Sequence, residues 1–174
     1  MRHSFRRTRR VYWKGAVKGL LVVVLGCALG ACSSEPAGRR VPYWVEGTTP
    51  AQVARRMNTA VPAGATDVRA ARQKGFQDDG LLLAFTLPRG DTEAFVRELR
   101  PDSPLGHRAR PLASAGDGEP AAPFAHLGLP EPEALADVTE GPVCTPCRGE
   151  LNSLTIAVHP LDAQHSRVYL RGVD

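Results

Sequence analysis

Asp79-Gly80-Leu81-Leu82-Leu83-Ala84-Phe85-Thr86-Leu87-Pro88 is the stretch on which the reading of the fold turns. A short apolar run bounded by turn residues reads as a buried strand. Gln77-Asp78-Asp79-Gly80 before it reads as a tight turn, because Asp-Gly accepts the positive φ angles of a two-residue hairpin. The partner strand then lies at 66–76, with Val68 and Ala70 on one face. A turn centred on Asp79-Gly80 sets Phe76 opposite Leu83 but also Lys74 opposite Phe85, so the register stays open. Turn chemistry accounts for Asp78 and Asp79 better than an acid/base or metal site does.

Helix signals flank this hairpin. Upstream, Thr48-Thr49-Pro50 combines a hydroxyl cap with a proline in the first turn,. Ala51, Val53, Ala54 and Met57 then give an apolar face as far as Asn58. Downstream, Pro88-Arg89-Gly90 breaks the strand and Asp91 caps a helix over Thr92 to Arg100, with Phe95, Val96 and Leu99 inward,. Pro101 stops it. The Arg89-Gly90-Asp91 tripeptide matches an integrin motif; at such a turn it reads as coincidence.

Residues 101–143 are rich in Pro, Gly, Ala and acids and read as one long loop, pinned in its middle by Phe124, Leu127 and Leu129,. Beyond it, Leu154, Ile156 and Val158 alternate inward against Thr155 and Ala157 outward, and Val168 and Leu170 do the same on a second run,. Together they predict a second hairpin. His159, Asp162 and His165 sit on its connection without metal-ligand spacing, so they read as a solvated loop. The fold class expected is α+β: a small antiparallel sheet of two hairpins with two helices packed on one face, occupying 48–174.

The charge of +4 is unevenly placed. Seven of the 22 Lys and Arg and none of the 18 acids precede Cys32, so the remainder carries a slight excess of acid. That removes the electrostatic support for a nucleic-acid role. Arginine outnumbers lysine 19 to 3, the bias of a GC-rich genome, so the composition reflects codons as much as function.

Residues 1–18 form a basic region with no acid, and 20–31 an apolar core. Twelve residues make a helix of about 18 Å against roughly 30 Å of bilayer hydrocarbon, too short for a comfortable span. The core is followed by Leu29-Gly30-Ala31-Cys32. This order of basic region, apolar core and box resembles a bacterial lipoprotein signal peptide, of the kind found in exported lipoproteins of high-GC actinobacteria. The resemblance covers about the first 34 residues. It implies cleavage before Cys32, a diacylglycerol on its thiol, and anchorage at the extracytoplasmic face of the cell membrane. On this reading 1–31 is the leader and 32–47 a tether. Two alternatives stay open: Val24-Leu25-Gly26-Cys27 as the box, with a much shorter core, and an uncleaved span in which Cys27 and Cys32 are plain thiols. Thr8-Arg9-Arg10-Val11-Tyr12-Trp13-Lys14 resembles a twin-arginine export signal, while Val22-Val23-Val24 favours the general secretory route.

With Cys27 gone and Cys32 acylated, Cys144 and Cys147 remain, an even count that reads as one disulfide in an oxidising compartment. The loop is tiny, so the bond should fix a turn more than stabilise the chain. Cys144-Thr145-Pro146-Cys147 also shares the CxPC form of thioredoxin-like motifs, but no helix-forming sequence follows to activate a thiolate. No catalytic set, cofactor motif, phosphate loop or metal site is expected. The functional expectation is a non-catalytic, membrane-anchored lipoprotein that binds an envelope protein or cell-wall partner. The competing expectations are an extracytoplasmic thiol–disulfide oxidoreductase using Cys144 and Cys147, and a small-molecule carrier using the long loop as a lid.

Overall fold

The computed structural model describes residues 42–112 and 122–174. The leader, Cys27 and Cys32 lie outside the described residues. Seven strands are described: β1 (Tyr43–Trp44), β2 (Thr66–Lys74), β3 (Gly80–Pro88), β4 (Gly106–Arg108), β5 (Val138–Cys144), β6 (Ser153–Pro160) and β7 (His165–Val173). They form one antiparallel sheet in the order β1-β2-β3-β7-β6-β5-β4. The described helices are short: α1 (Pro50–Arg56) and α2 (Arg89–Leu99).

This overturns the expected α+β domain built on a small two-hairpin sheet. The two hairpins are not separate units, because β3 pairs with β7 from Gly80↔Val173 to Pro88↔His165. The sheet also extends at both edges. Tyr43 and Trp44, within the stretch assigned to the tether, pair with Lys74 and Gln73. The stretch read as a loop at 101–143 supplies β4 and most of β5. Its Gly141 and Pro142 discourage a strand reading. Pro142 is nevertheless accommodated, because the three residues of β4 reach only Val138–Glu140 and a register shift follows between Pro142 and Cys144.

Both faces of the sheet are covered, which explains the unbroken apolar run of β3. Leu81, Leu83, Phe85 and Leu87 face Val53, Ala54 and Met57 of α1, Phe95 of α2, and Ile156 and Leu170. Leu82 and Ala84 face the other way, onto Phe124, Leu129, Val138, Ala157 and Tyr169. A leucine with no exposed surface contributes about 1.5–3 kcal/mol relative to leaving it in water. Ala157, expected outward, is 7% exposed because its face is roofed by residues 122–135.

α1 begins as expected. Thr49 caps it, and Gln52 returns a bond to the Thr49 N–H, the reciprocal arrangement of a capping box,. α2 starts earlier than Asp91 would place it: Pro88 is its N-cap and Asp91 sits in the first turn. It ends on Arg100 in the left-handed conformation.

The β2–β3 connection also differs. Gln73 pairs with Gly80 and Ala70 with Leu83, so the reversal spans 74–79 and Asp79 is not its tip. Asp79 is 4% exposed. Its carboxylate accepts from Arg72, Lys74 and the Gly75 N–H. Its backbone exchanges two hydrogen bonds with Asp174, at 2.9 and 3.1 Å. Burial pushes the Asp79 carboxyl up, but hydrogen bonds from Lys74 and Arg72 outweigh it and hold the group below its ordinary range,.

Candidate functional site: a guanidinium-pinned cavity on the second face

Strand register assembles this site from residues far apart in sequence. One row across the sheet is Ala84, Tyr169, Ala157 and Glu140; the next is Leu82, Arg171, Thr155 and Pro142. Above these rows lies 122–135, with two single turns of 3-10 helix at Phe124–Leu127 and Pro132–Ala134.

Apolar contact and charge both hold this roof. Phe124 is buried and meets Tyr169 edge to face, ring centres 5.0 Å apart. The Arg171 guanidinium lies over the Phe124 ring, 5.2 Å from its centre,. Arg171 also donates to Glu133 and to Glu131, both at 2.9 Å. Arg108 forks onto Glu140 at 2.7 and 3.2 Å and donates to the carbonyls of Pro132 and Leu135 at 2.7 Å. Arg69 donates to the Leu127 carbonyl at 2.9 Å. A planar guanidinium suits this work because its five N–H groups bond in fixed directions.

Beneath the roof is a cavity of about 290 Å³, lined by Phe124, Glu133, Glu140, Ile156, Tyr169 and Arg171 among others. Glu133 Oε2 and Arg171 Nε are buried without a hydrogen-bond partner among the described residues. Burial raises the Glu133 carboxyl, but the Arg171 bond, its own backbone N–H and the nearby guanidinium charges bring it below the usual carboxylate range. Burial raises the Tyr169 phenol, so it stays protonated. The cavity offers a mainly apolar lining.

The cysteines expected to pair, Cys144 and Cys147, are joined by a disulfide, Cα atoms 4.9 Å apart, in the β5–β6 connection. The Cys147 N–H donates to the Asn152 carbonyl at 3.2 Å. The bond borders a separate groove of about 650 Å³ with Met57, Leu99, Arg100 and Asp102. A bend and a turn follow at 148–150, with no helix before β6. The other candidates are dispersed. Asp78 accepts from Asn152, and Asp79 is the buried anchor described above. His159 Nδ1 contacts the Ala136 carbonyl at 3.1 Å. Asp162 instead accepts from the backbone N–H groups of Gln164 and His165, which hold its carboxyl below the usual range. No trio of metal-ligating side chains converges among the described residues. Arg89, Gly90 and Asp91 lie in the first turn of α2.

Sequence reasoning missed Arg108, Glu131, Glu133, Glu140, Tyr169 and Arg171 as a group. The usable signal was weak: two acids bracketing Pro132, and an arginine alternating with the apolar residues of β7. No protein-family model, curated protein or solved structure matches the chain.

Proposed function

We propose that this chain is an exported bacterial lipoprotein, anchored through lipid on Cys32, whose domain binds an envelope protein or cell-wall partner without transforming it. The observation that carries the reading is the order of acid-free basic leader, twelve-residue apolar core and Leu29-Gly30-Ala31-Cys32. The cavity on the second face, about 290 Å³ and mainly apolar in its lining, gives the domain a place to hold part of a partner. It suits a small, mainly apolar group. Mass spectrometry of the protein extracted from cell membranes tests the anchor. A mature chain beginning at acylated Cys32 is the expected result; Met1 and the leader still joined to an unmodified Cys32 would refute it.

A second reading draws on the disulfide and the groove beside it. In thiol–disulfide exchange, Cys144–Cys147 would accept two electrons and two protons from a partner dithiol, leaving two thiols here and a disulfide there. A redox titration separates the readings. A potential below about −300 mV marks a structural bond, and a distinctly higher one marks an exchanger.

A further inference from the structure

We infer that the end of the sheet carrying Tyr43 and Phe76 sits against the lipid surface, with the Phe76 ring in the interfacial layer. The inference rests on the reading of Cys32 as the lipid anchor.

Phe76 is 74% exposed and Tyr43 61%, the two most exposed large apolar side chains among the described residues. Both lie at one end of the sheet: Tyr43 pairs with Lys74, two residues before Phe76. An exposed phenylalanine is most simply a side chain on a loose loop. The turn bearing Phe76 is instead held from several directions. Asp79 bonds Arg72, Lys74 and Asp174, and Asp78 accepts from Asn152 of the β5–β6 connection. A Cβ on Gly75 would fall 1.9 Å from the Asp78 carbonyl oxygen, so the tight reversal requires glycine there,. The ring is thus presented on a fixed support.

Chain length says what it is presented to. Ten residues, 33–42, separate Cys32 from Tyr43. Fully extended they reach no more than about 35 Å. The nine residues of β3 make the sheet roughly 30 Å long,. With the Tyr43 end toward the bilayer, the connection has length to spare. With the opposite end toward the bilayer, it would spend nearly all its reach running back along the domain. That opposite end carries its own exposed apolar residue, Leu161, in the β6–β7 turn, which makes a matched control. Aromatic side chains favour the membrane–water boundary, where a ring is half sheltered and a phenol stays wet.

The experiment uses the acylated protein, purified from membranes and placed in phosphatidylcholine–phosphatidylglycerol vesicles with brominated acyl chains. Variants Phe76→Trp and Leu161→Trp are compared with the parent, whose Trp44 gives the background. Both positions are exposed, so neither substitution disturbs the core. The Phe76→Trp emission should shift to the blue and lose roughly half or more of its added intensity, as for a ring about 5–10 Å into the headgroup boundary. The Leu161→Trp emission should be unchanged by bromine. An acyl mass on Cys32 with no quenching at position 76, or with equal quenching at 76 and 161, would overturn this inference alone. Absence of the acyl mass would overturn the anchor and this inference together.

Discussion

Asp79→Asn isolates what one buried charge does for the fold. The substitution keeps the shape of the side chain and removes its charge. Asp79 bonds Arg72, Lys74 and the Gly75 N–H, and its side chain is 5% exposed. Breaking a buried ion pair from one side costs about 3–5 kcal/mol when the orphaned partner stays buried. Here the orphans are Arg72, 24% exposed, and Lys74, 48% exposed, which water can partly solvate. The expected loss is therefore at or below the low end, about 2–3 kcal/mol. At about 2–4 °C per kcal/mol for a domain near this size, the melting midpoint should fall by roughly 5–10 °C. Acid unfolding gives the second signature. Asp79 is held below its unfolded value of 3.8, so its stabilisation is complete above that value. It is lost as pH falls from about 4 through the lower folded value. The parent should lose stability in that window more steeply than Asp79→Asn. A variant within about 0.5 kcal/mol of the parent, with the same acid limb, would refute the assignment of Asp79 as an ionised anchor.

Other perturbations reach the remaining parts of the fold. Phe124→Ala should cost about 3–5 kcal/mol and raise hydrogen exchange across 122–135, measured by mass spectrometry; unchanged exchange there would mean the ring does not hold the roof. Arg108→Ala should loosen 132–135 and β4 together, since one guanidinium bonds Glu140, Pro132 and Leu135; crosslinking or exchange confined to one of these segments would contradict that. Replacing Cys144 and Cys147 by serine should lower stability by about 2 kcal/mol or less in urea unfolding, because the closed loop is so short. A much larger loss would show that the bond organises more than the β5–β6 connection.

The central strand and the first helix start were legible in the sequence for local reasons. Leu81–Leu87 has no polar break but Thr86, and Thr49-Pro50 with Gln52 is a self-contained cap. The second face was not legible. Period-two alternation says that Thr155 and Ala157 share a side, but not whether that side meets water or another layer. Composition hid β5 as well, because its strand character comes from pairing with β6 more than from the propensities of Glu140, Gly141 and Pro142,. The cavity was beyond local reading for a related reason. Arg171 meets Glu131 and Glu133 across separations of 40 and 38 residues, and Arg108 meets Glu140 across 32. Asp79 shows the opposite error: a strong local turn signal concealed a buried anchor, since Asp-Gly marks turns whether or not the carboxylate is later enclosed.

The two faces of this sheet are stabilised by different physics, and the difference bears on where binding can occur. Under α1 and α2 the contacts are apolar, and any opening exposes leucines, valines, Phe85 and Phe95 at once. Over the other face, Phe124 and Leu129 anchor a roof otherwise tied by guanidinium bonds to carboxylates and carbonyls. Such bonds add little net stability because desolvation offsets most of their attraction, but they fix geometry closely. A roof with few buried apolar anchors can open locally at less than the cost of global unfolding. The face under α1 and α2 thus keeps its shape through burial, whereas the second face combines guanidinium-fixed geometry with the cavity beneath it.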